Sequence, residues 1–212
     1  MTTYTRDDQL AVQPEGKFGG KIETSGAYTG RLTLAKERTA KTGTKGLEFT
    51  FESDEGQQAR YLSLWVERAN GDKIDYGYAL LSALMTCLGV KAIESTTTTL
   101  DEWQADTSQW LPAQVEVFES LMNQPIGLLL QREERVWEGK TQVSMKIVEF
   151  FDPRSRRTPA EILTGESVPQ ALERLAAGLR ESVVRAYTPP AGAPAGRSDN
   201  GFSDIADDDI PF

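Results

Sequence analysis

Residues 60–66, RYLSLWV, alternate strictly: Leu62, Leu64 and Val66 fall on one side of an extended chain, and Tyr61, Ser63 and Trp65 on the other. The aliphatic side belongs in a core. The expectation is a strand that leaves two aromatic rings on the outside of a sheet.

Working back from that stretch, YTGRLTLAK (28–36) places Tyr28, Leu32 and Leu34 on one face and Thr29, Arg31 and Thr33 on the other. LEFTFE (47–52) aligns Leu47, Phe49 and Phe51 in the same way. Polar, glycine-bearing segments (ERTAKTGTKG, then Asp54, Glu55 and Gly56) separate these runs, as successive antiparallel hairpins require. Working forward, NGDK (70–73) turns the chain, and Leu80, Leu81, Leu84, Met85 and Leu88 repeat at helical spacing up to Gly89. A helical insertion is expected over 77–124, its Thr-rich part holding Trp103 and Trp110 and a short helix covering 113–123. Those two tryptophans are expected to pack the insertion.

Two further strands, IGLLLQREERVW (126–137) and TQVSMKIVEFF (141–151), follow, with a turn near Glu138 and Gly139. Leu172, Leu175, Ala176, Leu179 and Val183 predict a closing amphipathic helix over 168–186. Three strands, a helix and two strands is the element order of the five-stranded oligonucleotide-binding barrel, the OB-fold. The expected class is therefore mainly β (α+β): such a barrel over 21–187, a flexible arm over 1–20, a disordered linker over 188–203 and an acidic tip over 204–212.

Composition excludes several chemistries. The 212 residues contain no histidine and one cysteine, so Ser-His-Asp and Cys-His mechanisms, Cys/His zinc sites and an internal disulfide are ruled out within one chain. GKT at 139–141 lacks the upstream glycine of a phosphate loop, and Asp101-Glu102 and Glu133-Glu134 are strand neighbours that point to opposite faces. The chain reads as non-enzymatic and without a cofactor or metal. No apolar run reaches membrane-spanning length, and the start carries no apolar signal region, so a cytoplasmic location is expected. Net charge is −9, but five of the acids are Asp199, Asp204 and Asp207 to Asp209, leaving the rest only mildly acidic.

The chain ends in DDDIPF behind TPPAGAPAGRSDNGFS, a stretch with almost nothing to bury. Asp207, Asp208, Asp209, Ile210, Pro211 and Phe212 resemble the acidic tip of bacterial single-stranded-DNA-binding proteins, though Ala206 stands where that family often has an aromatic residue. The resemblance implies that the Phe212 ring enters an apolar pocket on replication and repair proteins, with the carboxylates meeting basic residues around it. The body, through GAYTGRLTLAK, TKGLEFTFESDEGQ, LLSALMTCLGVK, VSMKIVEFFDP and PAEIL, is similar to bacteriophage-encoded single-stranded-DNA-binding proteins. That implies an OB-fold coating single strands during replication, recombination or repair in a host cytoplasm.

Sequence-tolerant binding of this kind needs π-faces for bases and spaced cations for phosphates. The candidate stacking residues are Tyr61, Trp65 and Trp137. The candidate phosphate partners are Arg31, Lys36, Arg38, Lys41, Lys45 and Arg60, with Arg135 and Lys140 near Trp137. Arg154, Arg156 and Arg157 form a basic triplet outside the expected barrel strands. An adaptor that uses the tip without binding DNA, and a recombination mediator or strand-annealing protein, remain as alternatives. Self-association is left open by the sequence.

Overall fold

A computed structural model describes residues 19–104, 107–137 and 140–186. The expected arm through residue 18, the linker and the tip lie outside the described residues. Among the described residues the chain is mainly β, with eight strands in one sheet that does not close. They are β1 (Gly26–Thr39), β2 (Lys45–Ser53), β3 (Gln58–Glu67), β4 (Thr96–Gln104), β5 (Gln109–Val117), β6 (Pro125–Trp137), β7 (Lys140–Phe151) and β8 (Val183–Ala186). Three helices accompany them: α1 (Asp75–Leu88), α2 (Pro159–Thr164) and α3 (Ala171–Ala177). All strand pairs are antiparallel except β8, which runs parallel to β6.

β1 organises the sheet. Its first part, Gly26–Arg31, pairs with Leu130–Pro125 of β6, and Gly30–Thr39 pairs with Ser53–Lys45 of β2. The two ladders overlap at Gly30 and Arg31. There a Cβ on residue 30 would sit 2.0 Å from the Glu52 carbonyl oxygen, so only glycine fits. A bulge between Leu32 and Leu34 then changes the face count. Leu32 and Ala35 are both fully buried, and Leu34 opposite Thr50 is left outside the core that alternation expects it to join.

Leu32, Ala35, Leu47, Phe49, Phe51, Leu62 and Leu64 meet Leu80, Leu81 and Leu84 of α1 and Ile126, Leu128, Leu130, Ile147 and Phe150 of the β6–β7 hairpin. Alternation turns Leu129 to the opposite side from Leu128 and Leu130, where Phe151 and Leu172 enclose it, and a second bulge, at Val148 of β7, lies across from this step. Three consecutive leucines are thus buried in a strand covered on both faces. α1 lies against β3 and β7. Its entry is tight: a Cβ on Gly77 would come within 1.7 Å of the Trp65 carbonyl oxygen. Cys87 on this helix is partly buried, and burial, with the charges of Glu149 and Asp152, pushes its thiol up to about 12.

Two expectations are corrected. The stretch expected as a helical insertion to residue 124 is helical only to Leu88; the rest forms the β4–β5 hairpin and a 3-10 turn at Glu119–Leu121, so no helix covers 113–123. Thr96–Thr99 is a β-branched run, and Leu111, Ala113, Val115 and Val117 alternate, so strand propensity and period agree there. Pro112 is tolerated because β1 bridges β5 only at Val117. The expected closing helix is likewise short: α3 stops before Gly178, and Val183 and Val184 enter β8. Of its stripe, Leu172 is buried and Ala176 and Leu179 pack beside it, whereas Leu175 is exposed.

Glu161 holds α2 and α3 together. Its carboxylate accepts from the backbone N–H groups of Gln170 (2.7 Å), Ala171 (2.8 Å) and Thr158 (2.9 Å), and from the Thr158 hydroxyl, completing a capping box. Those donors, Gln170 first, hold its pKa down at about 2 against burial, from an ordinary 4.5. The depressed value stabilises the fold fully above about 4.5, and this contribution is lost as pH falls toward 2. Glu161→Gln should therefore flatten the pH dependence of the denaturation midpoint in that window, and an unchanged slope would refute the assignment. Gly77→Ala should cost about 1–3 kcal/mol in urea denaturation by forcing α1 off β3, whereas Ser82→Ala on the exposed side should stay within about 0.5 kcal/mol.

Candidate nucleic-acid interface

The outer face of β1, β2 and β3 gathers the largest set of the candidate residues. Arg31 and Lys36 are five positions apart, which would put them on opposite faces of an even strand. The β1 bulge returns them to one side, opposite Glu52 and Glu48 in the register.

At the centre lies Glu48, a buried carboxylate. One oxygen is 3.3 Å from Lys36 Nζ and the other 2.5 Å from Arg38 Nη1. Arg38 also donates to Ser63 Oγ at 3.1 Å, and its guanidinium carbon stands 5.6 Å from the centre of the Trp65 ring. This is cation–π distance, and it fixes the guanidinium between a carboxylate and an aromatic face. Lys36 donates in addition to Glu102 of β4. Burial pulls the Lys36 amine down, but the Glu102 bond and the charges of Glu48 and Glu102 outweigh it and raise the pKa. Arg31 pairs with Glu52 at 2.5 Å, and Lys45 with Glu67 at 3.6 Å. The cations expected to meet phosphate are thus largely engaged by carboxylates. Arg60 bonds the Gln58 side-chain oxygen at 2.8 and 3.0 Å, and Lys41 is exposed in the Ala40–Thr44 turn.

The aromatic residues divide. Trp65 is half-buried, and its indole nitrogen has no hydrogen-bond partner among the described residues. Tyr61 sits where the β2–β3 register shifts, with φ at 60°, and is 48% exposed. A left-handed tyrosine in a strand is an energetically costly placement, and such placements cluster at functional sites. Arg135 lies on β6 and pairs with Gln142 in the β6–β7 ladder, apart from the Trp65 group. Trp137 and Lys140 pair in the backbone register at the end of that hairpin, and their side chains fall outside the described part of the structure.

Sequence reading missed three features. Glu48, Ser63 and Glu102 complete the network, and Glu48 was legible once register placed it opposite Lys36. Trp103 and Trp110, expected to pack an insertion, instead form an edge-to-face pair, centroids 5.9 Å apart, at 45% and 57% exposure on the β4–β5 hairpin. On α1, Tyr76 and Tyr78 are exposed beneath lysines, with Lys146 Nζ 5.2 Å and Lys73 Nζ 4.0 Å from their ring centres. The basic triplet is built into its own loop: Arg156 pairs with Glu173 at 2.9 Å, and Arg157 bonds Ser155 Oγ and the Glu166 carbonyl.

Among the described residues, no helix is long and apolar enough to cross a membrane. Compared with known proteins, the sequence matches no protein family and no curated protein.

Glu48 is the counter-ion that the face depends on. Glu48→Gln should lower stability by up to about 3 kcal/mol, because it removes the negative charge that offsets the half-buried Arg38 guanidinium. Glu102→Gln, which leaves Lys36 its contact with Glu48, should cost less than about 1 kcal/mol. Thermal denaturation of the two variants checks the order, and an equal loss would remove Glu48 from the central role.

Proposed function

We propose that the chain is a non-enzymatic single-stranded-DNA-binding protein of the bacteriophage type, which holds single strands on the outer face of β1–β3 and recruits replication and repair proteins through its C-terminal tip. The observation that carries this reading is the sequence Asp207–Phe212, with its residues in order behind a Pro/Gly-rich stretch. Two features of the body support it. The succession β3-β2-β1-β6-β7, with α1 following β3 in the chain and lying against β3 and β7, supports reading the sheet as an OB-fold barrel open between β3 and β7. The outer face offers an exposed tyrosine, a half-buried tryptophan, Lys36 and Arg38 joined through Glu48, and Arg31 paired with Glu52.

Phosphates would bind there by exchange. Each oxygen that reaches Arg31, Lys36 or Arg38 takes the place of a carboxylate already bound to it. The same pairing favours a second reading, an adaptor that uses the tip without binding DNA, since paired cations offer phosphate little net charge. Location in a host cytoplasm belongs to the proposal.

Fluorescence anisotropy with labelled oligothymidine separates the two readings in the full chain. Tyr61→Ala and Trp65→Ala should each weaken binding by roughly 1–3 kcal/mol if bases stack there, and Glu102→Gln should strengthen it by removing one of the two carboxylates that hold Lys36. Phe212→Ala should leave DNA affinity unchanged and abolish capture of proteins that bind the bacterial acidic tip. An absence of oligothymidine binding at low salt, with tip-dependent capture retained, would establish the adaptor instead.

A further inference from the structure

Among the described residues, β4 is a sheet edge. It stands last in the order β3-β2-β1-β5-β4, and among the described residues its backbone pairs with β5 alone, through nine consecutive positions without a register shift. Thr96, Thr97, Thr99, Asp101 and Trp103 are exposed. Proteins blunt such edges with lysine, proline, a bulge or a short strand. Of the edge-blunting devices β4 carries only the charges of Asp101 and Glu102, and its β-branched run favours extended pairing.

We propose that β4 pairs with β4 of a second copy of this chain, antiparallel, about a two-fold axis through Leu100. A two-fold axis perpendicular to the sheet keeps each strand face on its own side, so residues opposite one another have the same parity and the axis must pass through a residue. Charge then selects the register. Centred on Leu100, all nine residues pair: Thr96 with Gln104, Thr97 with Trp103, Thr98 with Glu102 and Thr99 with Asp101. Every carboxylate faces a threonine. Centring on Asp101 or Glu102 sets that carboxylate against its own copy, and centring on Thr98 sets Glu102 against Glu94. Centring on Thr99 avoids the clash but leaves Gln104 outside the strand pairing. The hairpin's charge also selects against nucleic acid as the occupant: residues 92–131 contain six acids and no Lys or Arg. The inference does not rest on the function proposed above.

Light scattering and sedimentation equilibrium on the full chain test it. A dimer is expected. Thr99→Asp, which sets like charges opposite Asp101 twice in the symmetric interface, should raise the dissociation constant about tenfold. Thr99→Lys should lower it. Both remove the Thr99 hydroxyl that accepts from the Gln114 amide at 3.0 Å, so circular dichroism of each variant checks that the hairpin is kept. In a Cys87→Ser background, Leu100→Cys should give a covalent dimer on mild oxidation, since cysteines opposite one another across antiparallel strands approach disulfide range. A monomer at every concentration would overturn the proposal. So would a dimer that neither charge variant alters and Leu100→Cys does not cross-link.

Discussion

The structure depends on one strand serving two ladders. β1 gives its first half to β6 and its second half to β2, and the exchange takes place at Gly30 and Arg31, where a side chain at residue 30 would strike the Glu52 carbonyl. Everything downstream inherits the bend. It brings the β6–β7 hairpin over the core that β2 and β3 close from the other side, and the bulge that follows sets the cations on the outer face. A straight, evenly alternating β1 would place Lys36 and Arg38 on the side of Leu32, inside the core.

That outer face is close to electrically balanced. Arg31, Lys36 and Arg38 stand among Glu48, Glu52 and Glu102, with Glu48 the least accessible of the six. Solvent-facing ion pairs contribute little to stability, but a buried carboxylate shared by two cations sets their geometry firmly. Arg38 is therefore presented at a fixed angle over Trp65.

Much of the sheet was legible in advance. RYLSLWV and LEFTFE alternate over their whole length, and their aliphatic or aromatic faces are the buried ones. Reading failed where a single residue shifts register. Nothing in YTGRLTLAK distinguishes Leu34 from Leu32, because a bulge is decided by the partner strand. The β4–β5 hairpin was hidden by composition: a polar, threonine-rich run reads as loop, although Thr is a strand former once a neighbour supplies the ladder. The short span of α3 was obscured because its apolar spacing continues past Gly178 into β8. Of the site, the rings and cations could be read from strand alternation. The carboxylates that hold them needed cross-strand register, which no local pattern supplies.

The Gln131 side chain has a further consequence. Its amide reaches Ser25 Oγ at 2.9 Å and the Arg180 carbonyl at 2.9 Å, and its carbonyl accepts from the Arg180 backbone N–H at 3.1 Å. One buried amide thus fastens the beginning of the body to its end. During synthesis the N-terminal half of β1 emerges long before β6, and Ser25 waits longer still for residue 180. The first half of β1 therefore has no ladder partner until β6 is made, whereas its second half can pair with β2 almost at once. Loosening either end afterwards would release the other.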